Sequence, residues 1–189
     1  MARGKVQKRE SKRKKIIEVA AKEFVTKGFQ GANINRIAEK SGIGKGTIYL
    51  YFKSKEDLYV QALKENNELW MEKARDIVSS NKDTLTALKE LLKLDVVLGI
   101  ENKELAQLWI TSFFGDNRRF SGAAASVLEE YAALVEDLVR KCIKKGVFRK
   151  VDPYLATYML LGMNELMIAF YDALFKRKMD VRTVVGNIQ

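Results

Sequence analysis

Lys45, Gly46, Thr47 and Tyr49 bring a cation, a bare backbone, a hydroxyl and an aromatic hydroxyl together within five residues. If these residues are helical, the apolar pair Ile48 and Phe52, four apart, turns inward and leaves that polar edge outside. Such an edge suits DNA, where cations and hydroxyls meet phosphates and base edges and glycine permits close backbone approach. Catalytic chemistry has much less to draw on. The chain has no histidine, and so lacks the usual general base, zinc ligand and pH switch. There is also no GxSxG elbow, no GxxxxGK[ST], no dinucleotide glycine fingerprint and no CxxC. GIGKGT (Gly42 to Thr47) has a superficial phosphate-loop flavour, but its spacing fails and no apolar strand precedes it. No enzyme activity, cofactor or metal is therefore expected.

The polar edge needs elements to hold it. From Asn33 to Phe52 the sequence reads as two short helices joined by a glycine turn. Asn33 is a capping residue, and Ile34, Ile37 and Ala38 form an apolar edge at helical spacing. Gly42 then supplies a residue tolerant of positive φ where the turn needs one. Ala38 permits two steeply crossing helices to come close. This is the layout of a helix-turn-helix whose second helix enters the major groove; an ordinary helical hairpin is the plainer alternative. Upstream, Ile17, Ala20, Ala21, Phe24 and Val25 make a stripe on a first helix that ends at Gly28. Charge favours the DNA reading. Residues 1–55 hold 15 Lys/Arg against 4 Asp/Glu, whereas residues 56–189 hold 19 against 20. The excess therefore lies on one module, which points to a polyanion there.

Phe29 to Leu58 (FQGANINRIAEKSGIGKGTIYLYFKSKEDL) resembles the DNA-binding signature of the TetR family of bacterial repressors. The matching features are the aromatic after a helix-ending glycine, IAEKSGI, KGTIYLYF, and SKEDL opening the next helix. The resemblance implies operator binding as a dimer, with an inducer pocket and dimer interface in the remainder of the chain. It adds Tyr51 and Lys55 as backbone-phosphate contacts, for which a solvated turn is the alternative. The DNA-facing set is then Asn33, Asn35, Lys45, Gly46, Thr47, Tyr49, Tyr51 and Lys55. Two positions depart from the family pattern: Gly44 stands where many relatives have serine, and Asn35 where arginine or threonine is common.

Along the rest of the chain, period-two alternation is scarce and there is one proline, so the fold class is all-α. Two parts are expected: residues 1–55, a basic arm with a three-helix DNA-binding domain, and residues 56–189, a helical ligand-binding and dimerisation domain. Met1 to Lys15 reads as a disordered basic arm, a phosphate-tracking or minor-groove arm in one reading and a solubilising tail in the other, without the apolar core of a signal peptide. Ser54-Lys-Glu-Asp57 is a capping-box-like start to a long helix reaching about Val78, a strut between the parts. Gly115 to Gly122 (GDNRRFSG) reads as a mobile turn. Cys142 falls within a long apolar stripe from Val127 to Ile143, which makes it a core residue, and a lone cysteine fits a reducing cytoplasm.

Asp152-Pro153 opens a helix that is apolar nearly all round from Tyr154 to Phe175. A membrane, a thick body or a partner subunit could cover it. Asn164, Glu165 and Asp172 interrupt a membrane span, and the resemblance favours a partner, helped by a short last helix at Val181 to Ile188. Trp109, Phe113, Tyr131, Met159, Met163, Asn164 and Met167 are candidates to line a cavity for a small apolar or aromatic effector, with a filled core as the plainer alternative. The expectation is a cytoplasmic homodimeric repressor released from a near-palindromic double-stranded DNA operator by such a ligand, with no membrane partner. The alternative is a basic helical scaffold that binds polyanions or anionic membrane without reading sequence.

Overall fold

The computed structural model describes residues 2–115 and 117–175, and among these there is no strand. The helices run α1 (Ala2–Gly31), α2 (Ile34–Ser41), α3 (Lys45–Ile48), α4 (Lys55–Ser80), α5 (Thr84–Glu101), α6 (Lys103–Phe114), α7 (Ser121–Lys144) and α8 (Pro153–Phe175). A 3-10 turn, Arg118–Phe120, lies between α6 and α7. The final helix expected at Val181 to Ile188 lies outside the described residues.

Two compact units emerge: residues 1–66 with 107–124, and residues 67–106 with 125 onward. The first therefore takes in the opening turns of α4 and a distant segment around the 3-10 turn, as well as the helices up to residue 55.

In the first unit, α1 breaks at Gly28, whose φ of 65° and ψ of 168° interrupt the helical backbone. This combination is accessible essentially to glycine alone. One short turn follows, and Asn33 then caps α2 by accepting the Asn35 N–H at 2.8 Å. Gly42 closes α2 in the left-handed region (φ 71°). The Ile43 N–H reaches the Ala38 carbonyl at 3.0 Å across that turn. Ile16, Ile17, Ala20, Phe24, Ile37, Ala38, Ile48, Phe52, Leu58 and Tyr59 are buried. Glu23 of α1 is buried too and is met by Lys40 at 3.2 Å and Arg36 at 3.6 Å, which ties α2 to α1. The capping box at α4 forms: Ser54 Oγ accepts the Asp57 N–H at 3.1 Å, and Asp57 accepts the Lys53 N–H at 2.7 Å.

Two expectations are corrected here. The stretch up to Lys15 is helical from Ala2 onward, as the start of α1. It is rich in straight-chain helix formers and has no proline. Its Arg13 is also held on α4 by Glu65 at 2.6 Å and Gln61 at 3.1 Å. The supposedly mobile turn after Gly115 is likewise anchored. Asn117 and Phe120 are buried, and Phe120 stacks on Tyr59 (4.1 Å) and meets Phe29 edge-on (4.8 Å). Asn117 Oδ1 accepts the Phe29 N–H at 2.9 Å, and its amide donates to Thr111 at 3.2 Å. Arg119 lies over the Phe29 and Phe120 rings and pairs with Glu56 at 3.3 Å.

The second unit has its own core, drawn from Met71, Ala74, Leu88, Leu91, Val135, Leu138, Val139, Cys142 and Leu161 among others. Asp83 caps α5 and Asp152 caps α8 through the Leu155 N–H at 2.7 Å. Cys142 is a fully buried member of this core, as its place in the stripe implied. No described helix is long and apolar enough to cross a membrane.

Asn117→Ala strands the buried Phe29 N–H, a loss of about 1–3 kcal/mol. Urea unfolding will show the midpoint lowered with an unchanged m-value. A neutral substitution would mean water satisfies the amide equally well.

Candidate nucleic-acid interface and effector site

The turn at Gly42 sets the direction of α3, and Ile48 and Phe52 anchor it inward. The helix proper is only Lys45–Ile48, extended by one turn in which the Tyr51 and Phe52 amides both donate to the Ile48 carbonyl at 3.0 Å. Lys45, Gly46 and Tyr49 are exposed and Thr47 is half-buried, so all four are accessible. Tyr49 is 47% exposed. Leu50, which the sequence reading passed over, is 74% exposed. It is an apolar side chain beside the polar edge, suited to a thymine methyl. The signal was available, because Leu50 falls off the Ile48–Phe52 apolar line.

The other expected DNA residues divide by role. Asn33 and Asn35 are exposed at the start of α2, but the Asn33 side chain is already occupied as the cap. Tyr51 is half-buried, with the Arg9 guanidinium 5.7 Å from its ring centre. Lys55 is half-buried as well. Its ammonium donates to the Gln30 carbonyl at 3.2 Å and sits 4.8 Å from the Phe29 ring centre. Burial first, then the charge of Arg119, hold Lys55 below its ordinary pKa, with Glu56 opposing. Gly44 precedes α3 with no side-chain cap.

Among the expected effector residues, Tyr131 and Asn164 come together in the second unit around a residue the sequence reading missed. Asp95 of α5 is 6% exposed. It accepts from the Tyr131 hydroxyl at 2.5 Å and from the Asn164 amide at 3.4 Å, and that amide also donates to the Leu92 carbonyl at 3.2 Å. Burial raises Asp95 to about 7, opposed by the hydrogen bonds from Tyr131, Asn164 and Trp70. Neighbouring Glu165 is also pushed up to about 7, by its crowded surroundings and then by the Asp95 charge. Its side chain lies at the exposed surface of α8. Met159 and Met163 are 60% and 66% exposed on α8, and Met167 is half-buried. Trp109 and Phe113 belong to the first unit, stacked with centres 6.4 Å apart, and the buried Trp109 Nε1 has no hydrogen-bond acceptor.

Residues 16–62 match the family model described as bacterial regulatory proteins, tetR family. The chain is 25% identical over 159 residues to the HTH-type transcriptional regulator RutR of Escherichia coli O157:H7, covering 82% of this chain and 73% of that one. It is 24% identical over 148 residues to the fatty acid metabolism regulator protein of Bacillus subtilis, covering 78% and 76%. Among solved structures, the fatty acid degradation regulator FadR from Bacillus halodurans superposes with a TM-score of 0.80 at 25% identity, covering 94% of this chain and 92% of that one. FadR from Bacillus subtilis in complex with stearoyl-CoA superposes at 0.73 with 23% identity, covering 92% and 94%, a likeness of fold.

The pH dependence of stability follows from Asp95. Because its folded pKa is raised above the unfolded value of 3.8, the folded state holds the proton longer, and stability falls as pH climbs from about 4 to 7. The slope from this group is at most about 1.4 kcal/mol per pH unit. Asp95→Asn will flatten the fall in urea midpoints between pH 5 and pH 8. Parallel curves for the two proteins would contradict the assignment.

Proposed function

The chain belongs to the TetR family of bacterial regulatory proteins, and from that premise we propose that two copies act as a ligand-responsive repressor on a near-palindromic operator. The observation that carries this reading is the exposure of Lys45, Gly46 and Tyr49 on a helix whose Ile48 and Phe52 are buried, on the basic part of the chain. Lys45 and Thr47 supply phosphate or base contacts, Gly46 close approach, and Tyr49 with Leu50 the aromatic and apolar contacts to base edges. Tyr51 and Asn35 flank them. Lys55 positions the turn by donating to Gln30 and keeps two further ammonium N–H groups for a phosphate. Paired recognition helices would enter successive major grooves about 34 Å apart.

Pairing uses α8. Tyr154, Leu155, Tyr158, Met159, Met163 and Leu166 leave an apolar face of this helix exposed on the single chain. A face of that kind is covered most simply by its own copy across a two-fold axis. Met159 and Met163 thus serve the partner surface in this reading, and the effector contacts fall to Tyr131, Asn164, Met167 and Asp95. An acyl chain, as in the Bacillus subtilis complex, is one kind of largely apolar ligand that such a unit admits. Release of DNA requires that the ligand bind one dimer geometry better than the other. Helices α4, α6 and α7 contribute residues to both units and are the covalent routes for that coupling.

The decisive experiment compares a duplex selected by the protein from a random-sequence pool with a scrambled duplex, at two salt concentrations. A repressor keeps a large affinity ratio as salt rises, whereas a polyanion scaffold loses both complexes together. Tyr49→Ala will collapse that ratio while leaving the unfolding midpoint in place. Retention of full discrimination by Tyr49→Ala would displace the reading edge. For the dimer, the double substitution Met159→Glu and Met163→Glu will convert the sedimenting species to monomer. A dimer that survives those charges would place the two-fold axis elsewhere.

A further inference from the structure

The helical start of α1 has a consequence beyond the reading edge. Lys8, Lys12 and Lys15 follow an i, i+4, i+7 pattern and so share one face of α1. All three are exposed, and none has a carboxylate partner among the described residues. Two nearby acidic residues are committed elsewhere. Glu10 pairs with Arg13, while Arg13 and Lys14 are both taken by Glu65 of α4, on another side of the helix. Glu18 follows Lys15 by three residues, at the edge of the lysine face.

Two contacts fix where that face looks. Lys15 Nζ lies 4.0 Å from where a Cβ on Gly42 would sit, beside the turn between α2 and α3. One helical turn and a half earlier, Arg9 lies over the Tyr51 ring at the end of the reading turn. Lys15 and Arg9 thus lie beside the helix-turn-helix at its turn and at its end. From Lys8 to Lys15 the helix rises about 10 Å, over which one DNA strand presents about three phosphates.

We propose that Lys8, Lys12 and Lys15, with Arg9 at their inner edge, form a second, sequence-blind grip on the DNA backbone beside the reading helix. The grip rests on the DNA-binding reading above and extends it from base recognition to a separate, rigid phosphate track. Held on a helix, these cations avoid much of the ordering cost that a disordered arm would meet on binding. Neutralising each phosphate releases counterions, so the track sets affinity and salt dependence and leaves sequence preference alone.

The test uses the full chain with Lys8, Lys12 and Lys15 all changed to Gln, which keeps helix propensity and removes charge. Anisotropy titrations across a range of KCl concentrations, on the selected and the scrambled duplex, give the slope of log affinity against log salt. The expected result is a slope shallower by about two to three per protomer on both duplexes, with their affinity ratio and the melting temperature unchanged. Changing the same three residues to Arg must restore the slope, and changing exposed Lys82, Lys144 and Lys150 to Gln must leave it as in the unsubstituted protein. An unaltered slope in the first variant overturns the track, as does an equal loss in the Lys82/Lys144/Lys150 variant. So does an unaltered DNA slope accompanied by lost binding to phosphatidylserine vesicles. If the unsubstituted protein shows no ratio between duplexes, the repressor reading fails, while the track is still judged by the slope on scrambled DNA.

Discussion

The head of this molecule depends on one break in one helix. At Gly28 the backbone leaves the helical region, and the residue after it turns inward with its amide freed from the helix ladder. The free amide is buried and must be satisfied, and Asn117, 88 residues later in the chain, accepts from it. The same turn sends the Phe29 ring into the Phe24, Tyr59 and Phe120 cluster. A residue with a Cβ would resist that backbone geometry, even though the space around Gly28 is open. Without the break, neither the aromatic cluster nor the start of α2 would have its present direction.

The chain also separates two electrostatic tasks. Its positive excess is gathered on the first 55 residues, and most of it stays at the surface. Some of these cations also hold helices together: Arg13 and Lys40 meet carboxylates and Lys55 a carbonyl, as Arg119 does with Glu56 farther along the chain. The second unit has a near balance of charge but buries an acid, Asp95, with hydroxyl and amide donors in place of a cation. A carboxylate held in that way is costly when ionised and neutral when protonated. It places a buried polar cluster of Asp95, Tyr131 and Asn164 inside that unit.

Local signals carried the sequence reading a long way. Asn33, Gly42, Ser54 and Asp152 each announce a cap or turn through a side chain or backbone freedom that acts within four residues, and all four act so in the structure. The inward set of Ile37, Ala38, Ile48 and Phe52 was legible for the same reason. What escaped was nonlocal. Asn117 sits in a glycine-flanked polar stretch that resembles any surface loop, and its partner lies in another segment. Asp95 was overlooked inside LLKLDVVLG, where a lone acid in an apolar run was the available hint. The helical start of α1 was misjudged because a high charge density suggests disorder, whereas Glu65 and Gln61 on α4 supply the partners that hold it.

Hydrogen–deuterium exchange of the full chain, with and without a selected duplex, tests most directly whether the basic head is the DNA-reading part. Slowed exchange over residues 42–52, together with the first turns of α1, is the predicted outcome. Unchanged exchange there, with protection confined to residues 125–168, would contradict it.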